Sequence, residues 1–172
     1  MILEKKKTLI LTILLNEAAQ SFFDIKRKQY FPAYANFTNA HLTLLHCLPN
    51  KDFVFDKISK IVKDTCAFEM QISGIVNNKN FNGYEISSDK LIELHKILQL
   101  EFMSFLSQKD LKPLKPHVTI QNKTTAYKAF KTQQLLLADF KVFSTQALGI
   151  SCWYYSKNKW EKQQDYFFKN LE

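Results

Sequence analysis

The sequence predicts a single α+β domain built from two pseudo-symmetric lobes, each with an antiparallel sheet and packed helices. The order strand, helix, histidine-containing strand, helix occurs twice, once from residue 8 and again from about residue 68. The 172 residues are 46% hydrophobic, with only three glycines and four prolines, which is typical of an ordered domain with a large core. No domain boundary is visible, so residues 1–172 are treated as one domain.

The first half of the chain opens with a buried strand. Residues 8–15 form a continuous apolar run, the pattern of a strand covered on both faces. The elements that follow are a helix at 17–30 capped by Asn16, a histidine-containing strand at 41–48, and a helix at 53–65 capped by Asp52. Apolar residues recur at helical spacing in both helices, so each helix is expected to bury one face.

The second half repeats this order with two additional strands at its end. Its predicted elements are a strand at 68–76, a return strand from Tyr84, a helix at 89–107 capped by Ser87 or Ser88, a histidine-containing strand at 117–122, a helix from Thr124 or Thr125 to about Leu137, and strands at 140–155 and 159–168 joined by a turn at 156–158. The helix at 89–107 is the clearest of these, with a stripe of leucine and phenylalanine that ends at Phe105.

Charge and cysteine content indicate the kind of partner and compartment. The net charge is +8 and the pI is near 9.3, which suits an anionic partner such as RNA or a nucleotide. A solvated lysine-rich surface would give the same composition. Cys47, Cys66 and Cys152 are widely spaced and form no C-x-x-C pair, which favours buried free thiols in a reducing compartment such as the cytoplasm.

The N-terminus admits an alternative. Lys5 to Lys7 followed by the apolar run resembles a short signal peptide, with Ala18-Ala19 as its cleavage region. The run is short and no disulfide framework follows it, so a buried first strand is the preferred interpretation. No stretch reaches the roughly 18 apolar residues that a membrane span needs. A monomer without membrane contact is expected.

Two short motifs single out a pair of histidines. They read His41-Leu42-Thr43-Leu44 and Pro116-His117-Val118-Thr119-Ile120. In each, a threonine follows a histidine by two residues inside a strand-like run, so an imidazole and a hydroxyl lie side by side on one face. With ten threonines in the chain, two such pairs among its four histidines would arise by chance in about 2% of cases.

Two histidines that face each other across a cleft can divide acid–base chemistry. Phosphodiester hydrolysis requires one group to take a proton from water and another to protonate the leaving oxygen, and imidazole suits both tasks. The neighbouring threonine hydroxyls can donate hydrogen bonds to the phosphate oxygens. This chemistry needs no cofactor, and no carboxylate accompanies the histidines at a metal-ligand spacing. The alternative is that both are ordinary strand histidines satisfied by neighbouring threonines.

The two motifs resemble the paired H-x-T motifs of the 2H phosphoesterase superfamily, which includes proteins described as 2′-5′ RNA ligases and 2′,3′-cyclic phosphodiesterases. Chain length, element order, the 76-residue separation of His41 and His117, and the proline before the second histidine are also similar. The resemblance implies a bilobal fold with a cleft between the lobes and metal-independent phosphodiester chemistry. It also implies catalysis by His41 and His117, with Thr43 and Thr119 binding the phosphate.

The chain departs from the family after the second motif. Many members carry an arginine there, whereas this sequence has Gln121-Asn122-Lys123. Gln121 shares strand parity with His117 and is a candidate substrate contact, as is Lys123 if the strand extends that far. Tyr34 is a third candidate because it could stack on a base, as could Trp153, Tyr154 and Tyr155. For each of these four aromatics a core or rim position is favoured.

The remaining two histidines are interpreted as non-catalytic. His46 has the opposite strand parity to His41 and is predicted to be structural, and His95 is predicted to lie on the surface of its helix.

The favoured function is therefore an enzyme that acts on RNA ends, oligonucleotides or nucleotides. One alternative is a nucleotide-binding or RNA-binding module that uses the same cleft without turnover. Another is a basic RNA-binding protein whose histidines are incidental, for which binding would depend steeply on salt concentration.

Overall fold

The seven strands that the structure describes all pair antiparallel, and four helices pack on them, which confirms the predicted α+β class. The computed structural model describes residues 8–156 and 159–170. The strands are β1 Thr8–Leu15, β2 Thr43–Pro49, β3 Phe68–Asn78, β4 Phe81–Ser87, β5 His117–Gln121, β6 Phe143–Ser156 and β7 Lys159–Phe167. The helices are α1 Glu17–Tyr30, α2 Asp52–Lys63, α3 Asp89–Phe102 and α4 Ala126–Asp139.

The strand order is β2-β1-β6-β3-β4-β5, with β7 paired to β6. This order is symmetric about its centre, because the chain repeats as β1-α1-β2-α2-β3 and then β4-α3-β5-α4-β6. The second repeat therefore begins at Phe81 and not at about residue 68. The prediction erred because β3 pairs with β4 in a hairpin and so groups with the second half, whereas by repeat order it is the last strand of the first repeat.

Strand β6 joins the two lobes into one sheet. Its residues 143–147 pair with β3, whereas residues 147–155 pair with β1. Ala147 lies opposite both Leu15 and Phe68, so the sheet passes from one lobe to the other at this residue. The two predicted sheets are thus continuous. The motif-bearing strands β2 and β5 occupy equivalent positions at the two ends of this strand order.

Helix starts follow the predicted capping residues closely. Asn16, Ser88 and Thr125 cap α1, α3 and α4, and each side-chain oxygen accepts a hydrogen bond from the backbone N–H three residues later. For α2 the prediction was wrong by one residue. Lys51 is the cap and Asp52 is the first helical residue, where its carboxylate suits the positive end of the helix.

Two predicted positions on α3 differ in the structure. The helix ends at Phe102, and a short 3₁₀ turn follows, which rotates Phe105 off the buried stripe and leaves it 47% exposed. His95 is 3% exposed, so the prediction of a surface position was wrong. It follows Leu91 by four residues and therefore shares its buried face. Burial lowers the pKa of His95 below its ordinary value, against the opposing effect of Asp110.

The N-terminal apolar run is the strand β1 between β2 and β6, as the preferred interpretation predicts. Lys5 to Lys7, and residues 157 and 158 of the predicted turn, lie outside the described residues. None of the helices in the described part of the chain has the length and apolar character to cross a bilayer. The cysteines are free, but Cys47 and Cys66 are exposed and only Cys152 has the predicted burial, which raises its pKa to about 12.

Gly149 allows β7 to lie against β6, and its replacement by alanine should destabilise the protein. An added Cβ would lie 2.0 Å from the carbonyl oxygen of Tyr166, which is backbone and cannot rotate away. We expect Gly149→Ala to lower the free energy of unfolding by about 3 kcal/mol, measured by urea denaturation. Gly74→Ala is the matched control, since its Cβ meets only side-chain atoms of Glu85, the nearest being a carboxylate oxygen at 3.1 Å that can rotate away. Equal stability of the two variants would contradict this account.

Candidate active site

The two histidine motifs lie at matching places in the two repeats. His117 is the first residue of β5, and His41 lies two residues before the first residue of β2. The intervening Leu42 is already hydrogen-bonded to β1, because its carbonyl accepts a bond of 2.9 Å from the backbone N–H of Ile13. The predicted strand start at residue 41 thus differs from the structure by two residues.

Both imidazole rings are fixed by the same kind of bond. His41 Nδ1 lies 2.8 Å from the carbonyl oxygen of Asn39, and His117 Nδ1 lies 2.8 Å from the carbonyl oxygen of Lys115. Each acceptor is two residues before its histidine. Because a carbonyl only accepts, Nδ1 must carry the hydrogen, and the neutral ring has its lone pair on Nε2. Each Nε2 is the nitrogen left for proton transfer.

The surroundings of the two rings differ. His41 is partly buried and stacks on Trp160, with ring centroids 4.5 Å apart and planes 35° apart. His117 is exposed, with Phe81 edge-on at 5.2 Å. The pKa of His41 is lowered to about 4, mainly by burial. The bond to Asn39 opposes this shift, and positive charge on Arg27, and on His46 and His117 when they are protonated, adds to it. His41 is therefore neutral at pH 7.

A cavity of about 260 Å³ brings parts of both motifs together. Its lining residues are Arg27, Phe31, Ala35, Phe37, Thr38, His41, Thr119, Asn122, Lys123, Tyr155 and Trp160. His41 and Thr119 come from different motifs and share this cavity, whereas Thr43 and His117 are not among its lining residues. The lining contains two cationic side chains and no carboxylate, so the cavity suits an anionic group such as phosphate.

A second cavity, of about 350 Å³, adjoins the first at Thr38, His41 and Trp160. It extends along β1, β6 and β7 and is mainly apolar. Trp153 forms part of its wall and is oriented by a 2.9 Å hydrogen bond from its indole N–H to the hydroxyl of Thr12. An aromatic wall next to an anion-binding cavity is the kind of surface on which a nucleobase stacks.

The structure separates the three predicted substrate contacts. Lys123 lies in the wall of the smaller cavity, in a left-handed conformation with φ of 54°. Tyr34 is 73% exposed and is not among the lining residues; its hydroxyl donates to the carbonyl of Lys123 at 2.9 Å. Tyr34 therefore supports the segment that carries Lys123.

Gln121 does not have the predicted role of a substrate contact. It is 4% exposed, and its side-chain amide is bonded to Asn82 and Thr132. Strand parity correctly placed Gln121 on the same face as Thr119, but helix α4 covers that face at the end of β5. The side chain therefore belongs to a buried polar network that links β4, β5 and α4.

Two residues at the site were missed in the sequence. Trp160, which stacks on His41, follows the predicted turn at 156–158, and nothing in its local pattern marks it. Arg27 lines the smaller cavity and bonds to segments of both motifs, although its place near the end of the predicted helix at 17–30 gave it no role at the site. Its signal was available, because it is the only arginine in the chain.

His46 has the predicted structural position. Its Nδ1 lies 2.8 Å from the carboxylate of buried Asp110, which also accepts from the backbone N–H of His46 at 3.0 Å. These bonds tie β2 to the loop that follows α3. Within the residues that the structure describes, no group of three histidine, cysteine or acidic side chains is arranged to hold a metal ion.

Comparison with known proteins gives a family match over most of the chain. The sequence model of the 2′-5′ RNA ligase superfamily matches residues 15–159, a range that includes both histidine motifs. No curated protein matches the chain in sequence.

Solved structures match over nearly the whole chain at low identity. The TT0787 protein of Thermus thermophilus has a TM-score of 0.66 and 12% identity, and the match covers 96% of this chain and 100% of that one. Escherichia coli LigT with 3′-AMP has a TM-score of 0.59 and 13% identity, covering 95% and 99% of the two chains. Escherichia coli LigT with NADP⁺ has a TM-score of 0.58 and 14% identity, and the match covers 95% of this chain and 99% of that one. These matches establish a common fold.

Proposed function

Because the chain belongs to the 2′-5′ RNA ligase superfamily, whose members are of the phosphoesterase and ligase type, we propose that it is a metal-independent phosphodiesterase that uses His41 and His117 as its acid–base pair. Its substrates would be 2′,3′-cyclic phosphate ends, or 2′-5′-linked or cyclic oligonucleotides. The observation that supports this most is the matched fixing of the two rings, which leaves Nε2 of each for proton transfer. Hydrolysis requires two proton transfers, and the Nε2 atoms of His41 and His117 can each carry one of them.

The difference between the two rings favours one assignment of roles. His41 is neutral at pH 7 and so acts as the base, taking a proton from water as its oxygen attacks phosphorus. The bond from phosphorus to the ribose oxygen breaks, and His117 donates a proton from Nε2 to that oxygen. The product is a phosphomonoester beside a free hydroxyl. His117 is exposed, so solvent can restore its proton.

The threonines and cations act on the phosphate. Thr43 and Thr119 follow the histidines by two residues and would donate to the non-bridging oxygens, where negative charge builds up in the transition state. Thr119 and Lys123 line the cavity that suits an anion, which supports this role. Thr43 is partly buried on β2, opposite Thr12 of β1.

A nucleotide or RNA substrate is supported by the adjoining apolar cavity and by the nucleotides held by a related structure. LigT binds 3′-AMP in one structure and NADP⁺ in another. In this chain a base would lie against Trp153 and Trp160 while the phosphate is held near His41. All of these groups come from one chain, which supports a monomeric enzyme. The exposed thiols of Cys47 and Cys66 suit the reducing cytoplasm.

The proposal is tested by incubation with a panel of 2′,3′-cyclic nucleotides, 2′-5′ oligoadenylates and cyclic dinucleotides, with products separated by chromatography. We expect turnover of at least one class, and a rate within about twofold of that value after treatment with EDTA, because the proton transfers are carried by side chains. Loss of activity with EDTA and its recovery with a divalent ion would contradict the metal-independent mechanism.

The same panel distinguishes the alternative of a nucleotide- or RNA-binding module that does not turn over. The cationic and aromatic lining of the two cavities would serve such a module equally well. In that case nucleotides would bind, as followed by quenching of tryptophan fluorescence, while every cyclic phosphate stays intact over hours. That combination of results would replace the enzymatic proposal.

A further inference from the structure

The chain contains 23 lysines and one arginine. The single arginine, Arg27, is only 6% exposed. It lies in the last turn of α1 with its guanidinium over the ring of Phe31, 4.1 Å from the ring centre. A basic group is costly to bury, so its position requires partners that satisfy it.

Those partners belong to the segments that carry the two motifs. On one side, Nε–H is shared between the carbonyl of Thr38, at 3.0 Å, and the side-chain oxygen of Asn36, at 2.8 Å. These residues lie just before His41. On the other side, Nη1 donates to the carbonyl of Thr119 at 2.8 Å, inside the second motif. One side chain thus bonds to two segments that are about 80 residues apart in sequence.

Lysine could not make the same connection. The guanidinium is planar and directs its donors along fixed, diverging directions, so it can hold two carbonyl groups on different segments at a set separation. The ammonium group of lysine is a compact charge at the end of a flexible stem, so it does not hold two acceptors at a fixed separation. In a chain that otherwise uses lysine throughout, the choice of arginine at this position follows from the geometry of its contacts.

We propose that Arg27 is a positioning residue that sets the placement of the His41 segment relative to the Thr119 segment, and thereby the geometry in which the two histidines flank one phosphorus. This inference rests on the proposed function of the two histidines. Arg27 acts through the backbone of both motifs, and its contacts with Thr38 and Thr119 do not involve a catalytic ring. Misplacement of reacting groups by about 1 Å costs on the order of 10²-fold in rate.

The first test is steady-state kinetics of Arg27→Met on the best substrate of the panel. We expect kcat to fall about 100-fold and KM to rise by no more than about threefold, because Thr43, Thr119 and Lys123 still bind the phosphate while the two rings are no longer held at the required separation. Lys28→Met is the matched control: it removes a charge from the next residue of the same helix, where the side chain is exposed. Unchanged kcat in Arg27→Met would overturn the proposal.

Arg27→Lys separates positioning from charge. It retains the positive charge and the stem but not the fork, so we expect kcat to fall about tenfold in a protein that stays folded. Full activity of Arg27→Lys would overturn the proposal, because charge alone would then suffice. If Arg27→Met does not fold, Asn36→Ala serves in its place, since it removes one partner of Nε and leaves the charge intact. We expect a smaller fall in kcat in the same direction.

A second readout does not depend on turnover. Imidazole ¹H–¹⁵N spectra of the free protein report the surroundings of both rings. In Arg27→Met we expect the signals of both His41 and His117 to shift and the pKa of His41 to rise, because a nearby positive charge is lost; in Arg27→Lys that pKa should stay near the wild-type value. Lys28→Met should move neither ring.

The two readouts separate failure of this inference from failure of the proposed function. If the wild type turns over no substrate, the enzymatic proposal fails, and the spectra alone decide whether Arg27 places the two rings. If the wild type is active but Arg27→Met only lowers the melting temperature, with kcat and both ring signals unchanged, Arg27 is a structural residue and the inference is wrong.

Discussion

Replacement of His117 by alanine is expected to lower kcat/KM for 2′,3′-cyclic nucleotides by about 10³-fold, within the range by which a positioned general acid accelerates a reaction. The leaving ribose oxygen would have to depart without a proton. His117 is exposed and contributes little to the core, so the melting temperature should change little. Nucleotide binding, followed by tryptophan fluorescence, should stay within a few-fold of the wild type because the cavity wall next to His41 is intact.

His46→Ala is the control for this variant. It also removes an imidazole, and it lies five residues after His41, but its ring is bonded to Asp110. We expect it to lower stability, since the buried carboxylate loses a partner, while kcat/KM stays within about threefold. If His117→Ala retained full activity, or if both variants lost activity equally, catalysis could not be assigned to the motif histidines. Salt-sensitive RNA binding unaffected by His117→Ala would instead favour a basic RNA-binding protein.

Sequence patterns predicted most of the helices and strands because these patterns are local. The caps Asn16, Ser88 and Thr125 bond within one helical turn, and apolar runs mark the strands and helices directly. The continuity of the sheet was not predicted, because chain order does not reveal that β6 pairs with both β1 and β3. The spacing of histidine and threonine likewise marked the two motifs, and the order of elements predicted that they lie at matching places in the two repeats.

The polar residues around the site were harder to predict, because their roles depend on contacts between distant segments. Gln121 and Thr119 have the same strand parity, yet α4 covers one and leaves the other at a cavity. Arg27 lies near the end of α1, and only the return of the chain to β5 shows that it is buried against the second motif. His95 was judged by its neighbours in sequence, but a helix buries residues three and four apart.

The pH dependence of the rate tests the assignment of His41 as the base. A base must be neutral to accept a proton, so activity is lost as the pH falls through the pKa of His41 in the folded protein, which is about 4. We expect kcat/KM at pH 5 to stay within about twofold of its plateau. A base with an ordinary imidazole pKa of about 6.5 would lose roughly 30-fold at the same pH. Circular dichroism at each pH would establish that the protein stays folded.

Trp160→Leu links this profile to its structural cause. The indole ring covers His41 at a centroid distance of 4.5 Å, and burial is the largest cause of the lowered pKa. A smaller side chain admits water to the ring, so the pKa of His41 should rise and the acid limb of the profile should move towards pH 6.5. The plateau rate should change less than the position of the limb, because Trp160 carries no proton. An acid limb already near pH 6.5 in the wild type, unmoved by Trp160→Leu, would mean that His41 is not the group whose neutral form the reaction requires.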